Sequence, residues 1–351
     1  MIGTMAKNNS ILNSAVNKEG AKIGIDLGTA NTLVYISGYG IVFDEPTIVA
    51  YDAATRGVIA CGNQAKDMVG KIHDKIRLVY PMNAGVVADI KATRTLLEYV
   101  FGKLGKLNFD FKKSTLLICC PAQITEVERK ALMDLAKSMG IEDSFVEPEI
   151  KAGAIGADID IYGPEGSMVV DIGAGSTNVG VLSCGDVVVL NAVRTAGDYI
   201  DDEITKYMKV QHNLIIGSKT AERIKIELAT LLPEDVEKTL EAGGRHLSTG
   251  RPDSVIVKQE EIYPIVLRAF EQMKHCIQVT LEQTPPELSS DIIKGGISVI
   301  GGGAAIRGVK EFFEANFPFG CHIAENGMGA IVKGTKQLLK NRGNYLVRPE
   351  D

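Results

Sequence analysis

Apolar and polar positions along this chain change period again and again, and the changes mark elements. Strands are expected at Ile23–Asp26, Thr32–Ser37 and Gly40–Phe43, forming a β-meander, then at Thr47–Tyr51 and Val58–Cys61. Residues 63–71 suit a short helix. In Ala88–Leu104 the apolar residues Leu96, Leu97, Val100, Phe101 and Leu104 recur at helical spacing. The unbroken apolar run at 115–120 predicts a buried strand. A helix at about 125–139 follows, opened by a capping box of Thr125 and Glu128.

The second half repeats this order. Strands are expected at Ser167–Ile172, Val179–Ser183 and Val187–Val193, with helices at about 198–208 and 219–230. Residues 232–262 are polar and carry Gly and Ser, as a small variable subdomain would. A long helix is expected at about 260–282, a strand at Ile297–Ile300, a helix opening at about 305 and a last helix at about 327–340. Alternating strands and helices imply an α/β class with a mainly parallel sheet.

The repeat carries a motif with it. Asp26-Leu27-Gly28-Thr29-Ala30-Asn31 and Asp171-Ile172-Gly173-Ala174-Gly175-Ser176-Thr177 each follow an apolar strand, and the two Asp lie 145 positions apart. Such spacing suggests a duplicated fold whose halves face one ligand. Glycines let backbone N–H groups approach a phosphate and form an anion nest. The Asp supplies the charge that a phosphate-bound Mg²⁺ needs, directly or through water. A third segment, Val299-Ile300-Gly301-Gly302-Gly303-Ala304, ends a strand in bare backbone that can lie against a purine ring. Singly, each segment reads as an ordinary glycine turn. Together and in this order they read as a nucleotide site.

Composition narrows the class. The 351 residues are 45% apolar and 23% charged, without Trp, as in a globular chain of two or three domains. The net charge of −6 argues against a nucleic-acid partner. Cys61, Cys119, Cys120, Cys184, Cys276 and Cys321 make no C-x-x-C pair and read as reduced core cysteines. The five His lack metal-ligand spacing, so no structural zinc is expected. No apolar run reaches membrane-spanning length. Residues 1–20 are polar, lack a signal-peptide core and are expected to be a disordered extension. There is no P-loop, no complete dinucleotide fingerprint and no kinase Gly loop with its His-Arg-Asp.

These segments resemble the actin/Hsp70/sugar-kinase superfamily and, within it, the bacterial actin MreB family. Further stretches carry the likeness: Asp44-Glu45-Pro46, Gly85-Val86-Val87-Ala88-Asp89, Thr125-Glu126-Val127-Glu128-Arg129, Ala196-Gly197-Asp198 and Thr220-Ala221-Glu222-Arg223-Ile224-Lys225. The resemblance covers about residues 22–342. It implies an actin-like ATPase fold of duplicated ribonuclease H-like domains, with four subdomains and a central nucleotide cleft. The first domain would span 21–162, with a subdomain at about 50–82. The second would span 163–328, with a subdomain at about 200–263. Residues 329–351 would return to the first domain as a hinge helix and tail.

The resemblance also implies residue roles. Thr29, Ala30 and Asn31 would grip phosphate from one side, and Gly173, Ala174, Gly175, Ser176 and Thr177 from the other. Asp26 and Asp171 would hold Mg²⁺ through water. Glu222, Arg223, Ile224 and Lys225 would flank ribose and adenine, although Glu222 and Lys225 also fit an exposed helix pair. Gly301, Gly302, Gly303 and Ala304 would form the adenosine loop. The cofactors would be ATP or ADP with Mg²⁺.

Hydrolysis is where the chain departs from the pattern. The family usually has Glu-Glu-Pro before its hinge helix, and here Glu147-Pro148-Glu149 stands instead. Glu149 takes the water-polarising position and Glu147 is the alternative; Glu149 also suits a plain helix N-terminus. Ser176 stands where Thr is common and loses the methyl that fixes its rotamer. Misplacing water by a fraction of an ångström can cost about 100-fold. Slow hydrolysis with intact ATP binding is expected.

The leading reading is a filament-forming cytoskeletal ATPase that sets cell shape, as a divergent paralogue of the kind found in wall-less helical swimmers such as spiroplasmas. A nucleotide-binding scaffold with negligible ATPase and a sugar- or acetate-kinase-like phosphotransferase are the alternatives. A chaperone would need a further peptide-binding domain. The resemblance implies double, antiparallel filaments, other MreB paralogues as partners, and a cytoplasmic location at the inner face of the membrane. Leu107, Phe109 and Phe111, beside Lys112 and Lys113, would form the membrane loop; the same alternation also suits phenylalanines folded into the core.

Overall fold

The structure is a computed structural model that describes residues 20–107, 109–121, 124–233, 238–325 and 327–340. Apart from Gly20, the expected N-terminal extension lies outside the described residues, as does the tail at 341–351.

The first half contains β1 (Lys22–Leu27), β2 (Asn31–Ile36), β3 (Gly40–Pro46), β4 (Val49–Asp52), β5 (Val58–Cys61), α1 (Asn63–Met68), β6 (Ile76–Val79), β7 (Met82–Asn83) and β8 (Val86–Val87). It continues with α2 (Ile90–Leu104), β9 (Thr115–Cys120), α3 (Glu126–Ser138), β10 (Asp143–Pro148) and α4 (Glu149–Gly156). The second half contains β11 (Ser167–Ile172), β12 (Thr177–Ser183), β13 (Asp186–Val193), α5 (Gly197–Gln211), β14 (Leu214–Ile215), α6 (Ser218–Leu228), β15 (Thr239–His246) and β16 (Pro252–Lys258). Then come α7 (Gln259–Gln283), α8 (Pro286–Gly295), β17 (Ile297–Ile300), α9 (Val309–Asn316), β18 (Cys321–Ile323) and α10 (Ala330–Lys340).

Two five-stranded sheets carry the halves, in the orders β3-β2-β1-β9-β10 and β13-β12-β11-β17-β18. The match of order is the duplication seen in three dimensions. The sheets are mixed, however, not mainly parallel. β1 pairs parallel to β9 and antiparallel to β2, and β11 does the same between β17 and β12. Short glycine hairpins force the antiparallel side, while helical crossovers give the parallel side. The central strands are buried on both faces, so they read as continuous apolar runs.

Helix ends follow local chemistry. Asp89 accepts from Lys91 N and Ala92 N to start α2. Thr125 and Glu128 form the expected capping box on α3. α1 stops at Met68, three residues early, because Gly70 turns left-handed at φ +77°. No helix opens at 305: a 3-10 turn at Gly302–Ala305 comes first, and α9 starts only after left-handed Gly308. The polar segment at 232–262 holds the β15–β16 hairpin, which pairs with β14. A smaller sheet, β5-β4-β6, stands over α1 on the first half.

The halves share one apolar core at their junction. α4 and α10 cross there, burying Ile150, Ile155, Ala330 and Leu339 against Leu117 of β9, Val169 of β11 and Ile300 of β17. Five of the six cysteines are buried, as expected; Cys184 is exposed on the β12–β13 turn. Among the described residues no helix is long and apolar enough to cross a membrane.

The expected membrane loop is placed differently from a projecting loop. Leu107, Phe109 and Phe111 are half-buried against the core of the first half. Phe111 meets Phe109 and Phe101 edge-on, at ring separations of 5.1 and 5.8 Å. Edge-to-face contact and core burial outweigh exposure of these rings. A Leu107→Ser/Phe109→Ser variant is therefore expected to lose about 2–3 kcal/mol of stability, read as a lower thermal midpoint. An unchanged midpoint with lost binding to anionic vesicles would restore the loop to a membrane role.

Candidate functional site

Each hairpin is built by a strand that carries a buried carboxylate as its last residue but one and turns on a glycine. Asp26 stands next to last in the buried run of β1, before Leu27, and Asp171 in that of β11, before Ile172; they are 6% and 3% exposed. The first turn is braced from behind. Thr47 Oγ1 donates to Gly28 O at 2.8 Å, Thr47 N to Ala30 O at 2.9 Å, and Asn31 Nδ2 to Asp44 Oδ1 at 3.2 Å. Ala30 and Asn31 stay exposed at the tip. The second turn closes on itself, Gly173 N donating to Ser176 O at 3.1 Å. α5 starts directly behind it, with Asp198 N donating to Ala174 O at 2.8 Å.

The two hairpins meet. A Cβ on Gly175 would lie 2.7 Å from Thr29 Cγ2 and Oγ1. Across the same seam Ser176 Oγ is so close to Gly85, between β7 and β8, that a Cβ there would lie 2.4 Å away. Only bare backbone permits this approach.

A third carboxylate enters from the junction. Pro148 ends β10 and caps α4, so Glu149 is the first helical residue, 6% exposed. Asn178 Nδ2 on β12 donates to Glu149 Oε1 at 2.6 Å. Burial, then the charges of Asp171 and Asp26, push the Glu149 carboxyl up; the Asn178 bond pulls the other way. Burial pushes Asp26 up to about 7, helped by the Asp171 charge. Burial alone takes Asp171 to about 7. Three acids crowded together resist ionising together. Glu147, the alternative, is turned away from these acids and meets Lys151 at 3.3 Å.

These acids suit a cation held through water. Asp26 Oδ1 is buried with no hydrogen-bond partner, an orphan that an ordered hydrated ion would satisfy. Among the described residues no three His, Cys, Asp or Glu stand close enough to ligate a metal directly. Mg²⁺ commonly keeps several waters and leans on phosphate oxygens, so the residues fit that ion in that mode.

Beside the second hairpin lies a cavity of about 430 Å³, lined by Gly301, Ala304, Ala305, Ile323, Ala324, Glu325, Gly327, Met328 and Gly329. Gly301 is left-handed at φ +86°, and a Cβ there would strike Ile172 O at 2.4 Å and Asp171 Oδ1 at 2.5 Å. The glycine turn thus joins the cavity to the carboxylate. Lys225 Nζ stands behind the second hairpin, at the start of α5, meeting Asp201 Oδ2 at 2.6 Å and Gly197 O at 3.1 Å. Glu222 is exposed on the same helix.

Three expected ligand residues are placed otherwise. Ile224 is fully buried in the core of the second half, because it faces opposite to Glu222 and Lys225 on α6. Arg223 Nη2 donates to Glu241 O at 2.8 Å on β15. Thr177 is fully buried and its hydroxyl donates to Thr195 O at 2.7 Å. Asn178 joins the site as the cross-strand partner of Asp171, a placement that the motif itself does not signal.

A profile of the MreB/Mbl protein family matches residues 20–346. The chain belongs to the MreB/Mbl family. Among MreB/Mbl relatives, the cell shape-determining protein Mbl of Bacillus cereus is 42% identical over 319 residues, 91% of this chain and 96% of that protein. The cell shape-determining protein MreB of Escherichia coli is 35% identical over 322 residues, 91% of this chain and 93% of that protein. The crystal structure of MreB 5 of Spiroplasma citri bound to AMPPNP superposes with a TM-score of 0.87 at 40% identity, covering 92% of this chain and 96% of that one. The MamK double helical filament shares the fold at a TM-score of 0.74 and 21% identity, covering 92% and 99%. The fold is thus the actin-like α/β fold that the family resemblance implied.

Proposed function

We propose that this MreB/Mbl chain is an ATP-binding, filament-forming bacterial actin that determines or maintains cell shape, with slow ATP hydrolysis. The observation that carries the reading is the convergence of Asp26, Asp171 and Glu149 between two hairpins already in contact. Relatives in the family bear the name cell shape-determining protein, and MreB 5 of Spiroplasma citri has been solved with AMPPNP and with ADP.

Backbone N–H groups of 28–31 and 173–176 would cradle the phosphates, and the cavity beside Gly301 would take the base. Asp26 and Asp171 would hold Mg²⁺ through water, giving up the protons that burial keeps on them. The ion supplies positive charge against the phosphates. Asn178 fixes Oε1 of Glu149 and leaves Oε2 to orient water. Ser176, tight against Gly85, closes the cleft from the other half. Pro148 stiffens the entry to α4, and Ser176, without the methyl that would fix its rotamer, holds water less firmly, so cleavage is slow. In its finer form the proposal has antiparallel double filaments at the inner membrane face, shared with other MreB paralogues. Membrane contact would require the aromatic loop to open from the core, and vesicle co-sedimentation tests it.

Sedimentation with ATP and with AMPPNP, alongside phosphate release, tests the reading. The chain is expected to pellet with both nucleotides and to release phosphate only from ATP. Glu149→Gln is expected to pellet normally and lose about 100-fold or more in release. Equal pelleting without any release would leave a scaffold. No pelleting with either nucleotide would sink the filament reading.

A further inference from the structure

Lys151 heads the largest side chains that the fold encloses completely; it is 2% exposed. It lies on α4, two residues after Glu149. Its Nζ meets Glu147 Oε2 at 3.3 Å and Asp186 Oδ1 at 3.2 Å. Glu147 belongs to β10, in the first sheet, and Asp186 to β13, in the second. One ammonium therefore spans both halves behind α4, while Glu149 on the cleft side is held by Asn178. The steps proposed above use none of Lys151, Glu147 and Asp186.

The two partners are unequal. The Glu147 side chain is 12% exposed and that of Asp186 is 68% exposed. A lone ammonium is too costly to enclose, so the Glu147 contact must persist. The Asp186 carboxylate can return to water at little cost. Its Oδ1 also accepts from Val187 N at 2.9 Å, which keeps it aimed at the junction. The contact exists in an arrangement whose hairpins are already together, Gly175 against Thr29 and Ser176 against Gly85.

We infer that Lys151 is a positioning residue, a two-sided pin that joins the halves in the closed arrangement and holds the first turn of α4, with Glu149, in place for bound nucleotide. The inference rests on the nucleotide reading above. Release of Asp186 leaves Lys151 neutralised by Glu147, so the fold persists while the second half is freed to rotate.

The test measures affinity for AMPPNP with Mg²⁺, and the thermal midpoint without nucleotide, on the full chain. Asp186→Asn is expected to weaken binding about threefold and to leave the nucleotide-free midpoint unchanged. Asp186→Glu is expected to restore affinity. The difference between wild type and Asp186→Asn is expected to vanish near 1 M salt, where the Debye length is about 3 Å. Lys151→Met/Glu147→Gln removes the buried pair together and is expected to bind like Asp186→Asn. Wild-type affinity in Asp186→Asn overturns the pin. So does a parallel fall of affinity and nucleotide-free midpoint, which marks a merely structural contact. Failure of the wild type itself to bind overturns the nucleotide reading, and the pin with it.

Discussion

Asp171→Asn is expected to stabilise the nucleotide-free protein and, in the same molecule, to weaken Mg²⁺–ATP binding by about 10–100-fold, as loss of groups that hold a metal indirectly does. The carboxyl is 3% exposed, and burial lifts it from 3.8 to about 7. Below pH 4 both folded and unfolded chains keep the proton, and nothing is lost. Between about pH 4 and 7 the unfolded chain gives it up while the folded chain holds it, so stability falls as pH rises. Above 7 the whole penalty is in place. At about 1.4 kcal/mol per pH unit, the shift from 3.8 to about 7 burdens the empty fold at pH 8 by on the order of 4 kcal/mol. Asparagine keeps the shape without the charge. The wild-type midpoint is therefore expected to fall between pH 5 and 8, and that of Asp171→Asn to fall less, since Asp26 still titrates. Mg²⁺–ATP is expected to flatten the wild-type profile. Scanning fluorimetry across pH and calorimetric titration check both halves of this result. A variant less stable than wild type at pH 8, or one with undiminished affinity, contradicts it.

That trade-off depends on groups that sequence showed and on groups it concealed. The paired Asp-x-Gly turns were legible because a tight turn at the end of a buried strand admits few residues. α2 and α3 were legible from their apolar stripes and caps. Asn178 was not, because its role comes from cross-strand register, which no local pattern records. Ile224 belongs to the same contiguous motif as Glu222 and Lys225, but the 3.6-residue helical period turns its side chain into the core. Lys151 reads as a polar residue that ought to be exposed, and only the meeting of β10 and β13 around it makes its burial tolerable. β15 and β16 were obscured by Gly243 and Gly244 and by exposed side chains along both strands. Phe109 and Phe111 fit either a surface loop or a core edge in sequence; the contact of Phe111 with Phe101, ten residues earlier, is a tertiary one that no local pattern records.

Gly334→Ala is expected to lower the thermal midpoint by about 2–5 °C, and Gly156→Ala to do much the same. At the crossing of α4 and α10, a Cβ on Gly334 would lie 1.8 Å from Ala152 O and 2.6 Å from its carbonyl carbon. One on Gly156 would lie 1.8 Å from Ala330 O and 2.7 Å from Gly334 N. All of these are backbone atoms, so no rotamer change relieves the clash and the helices must separate. Separation opens the shared core of Leu117, Val169, Ile300 and Leu339 and shifts the turn that carries Glu149, so phosphate release is expected to fall with stability. Elsewhere the same substitution has the opposite sign, since alanine favours helix over glycine by about 1 kcal/mol. Gly102, on α2, has nothing within 4 Å of where its Cβ would stand, and Gly102→Ala is expected to raise the midpoint. Scanning fluorimetry of the three variants together separates propensity from packing. A Gly334→Ala protein as stable as Gly102→Ala would mean that the helices part freely, and that the junction does not depend on backbone contact.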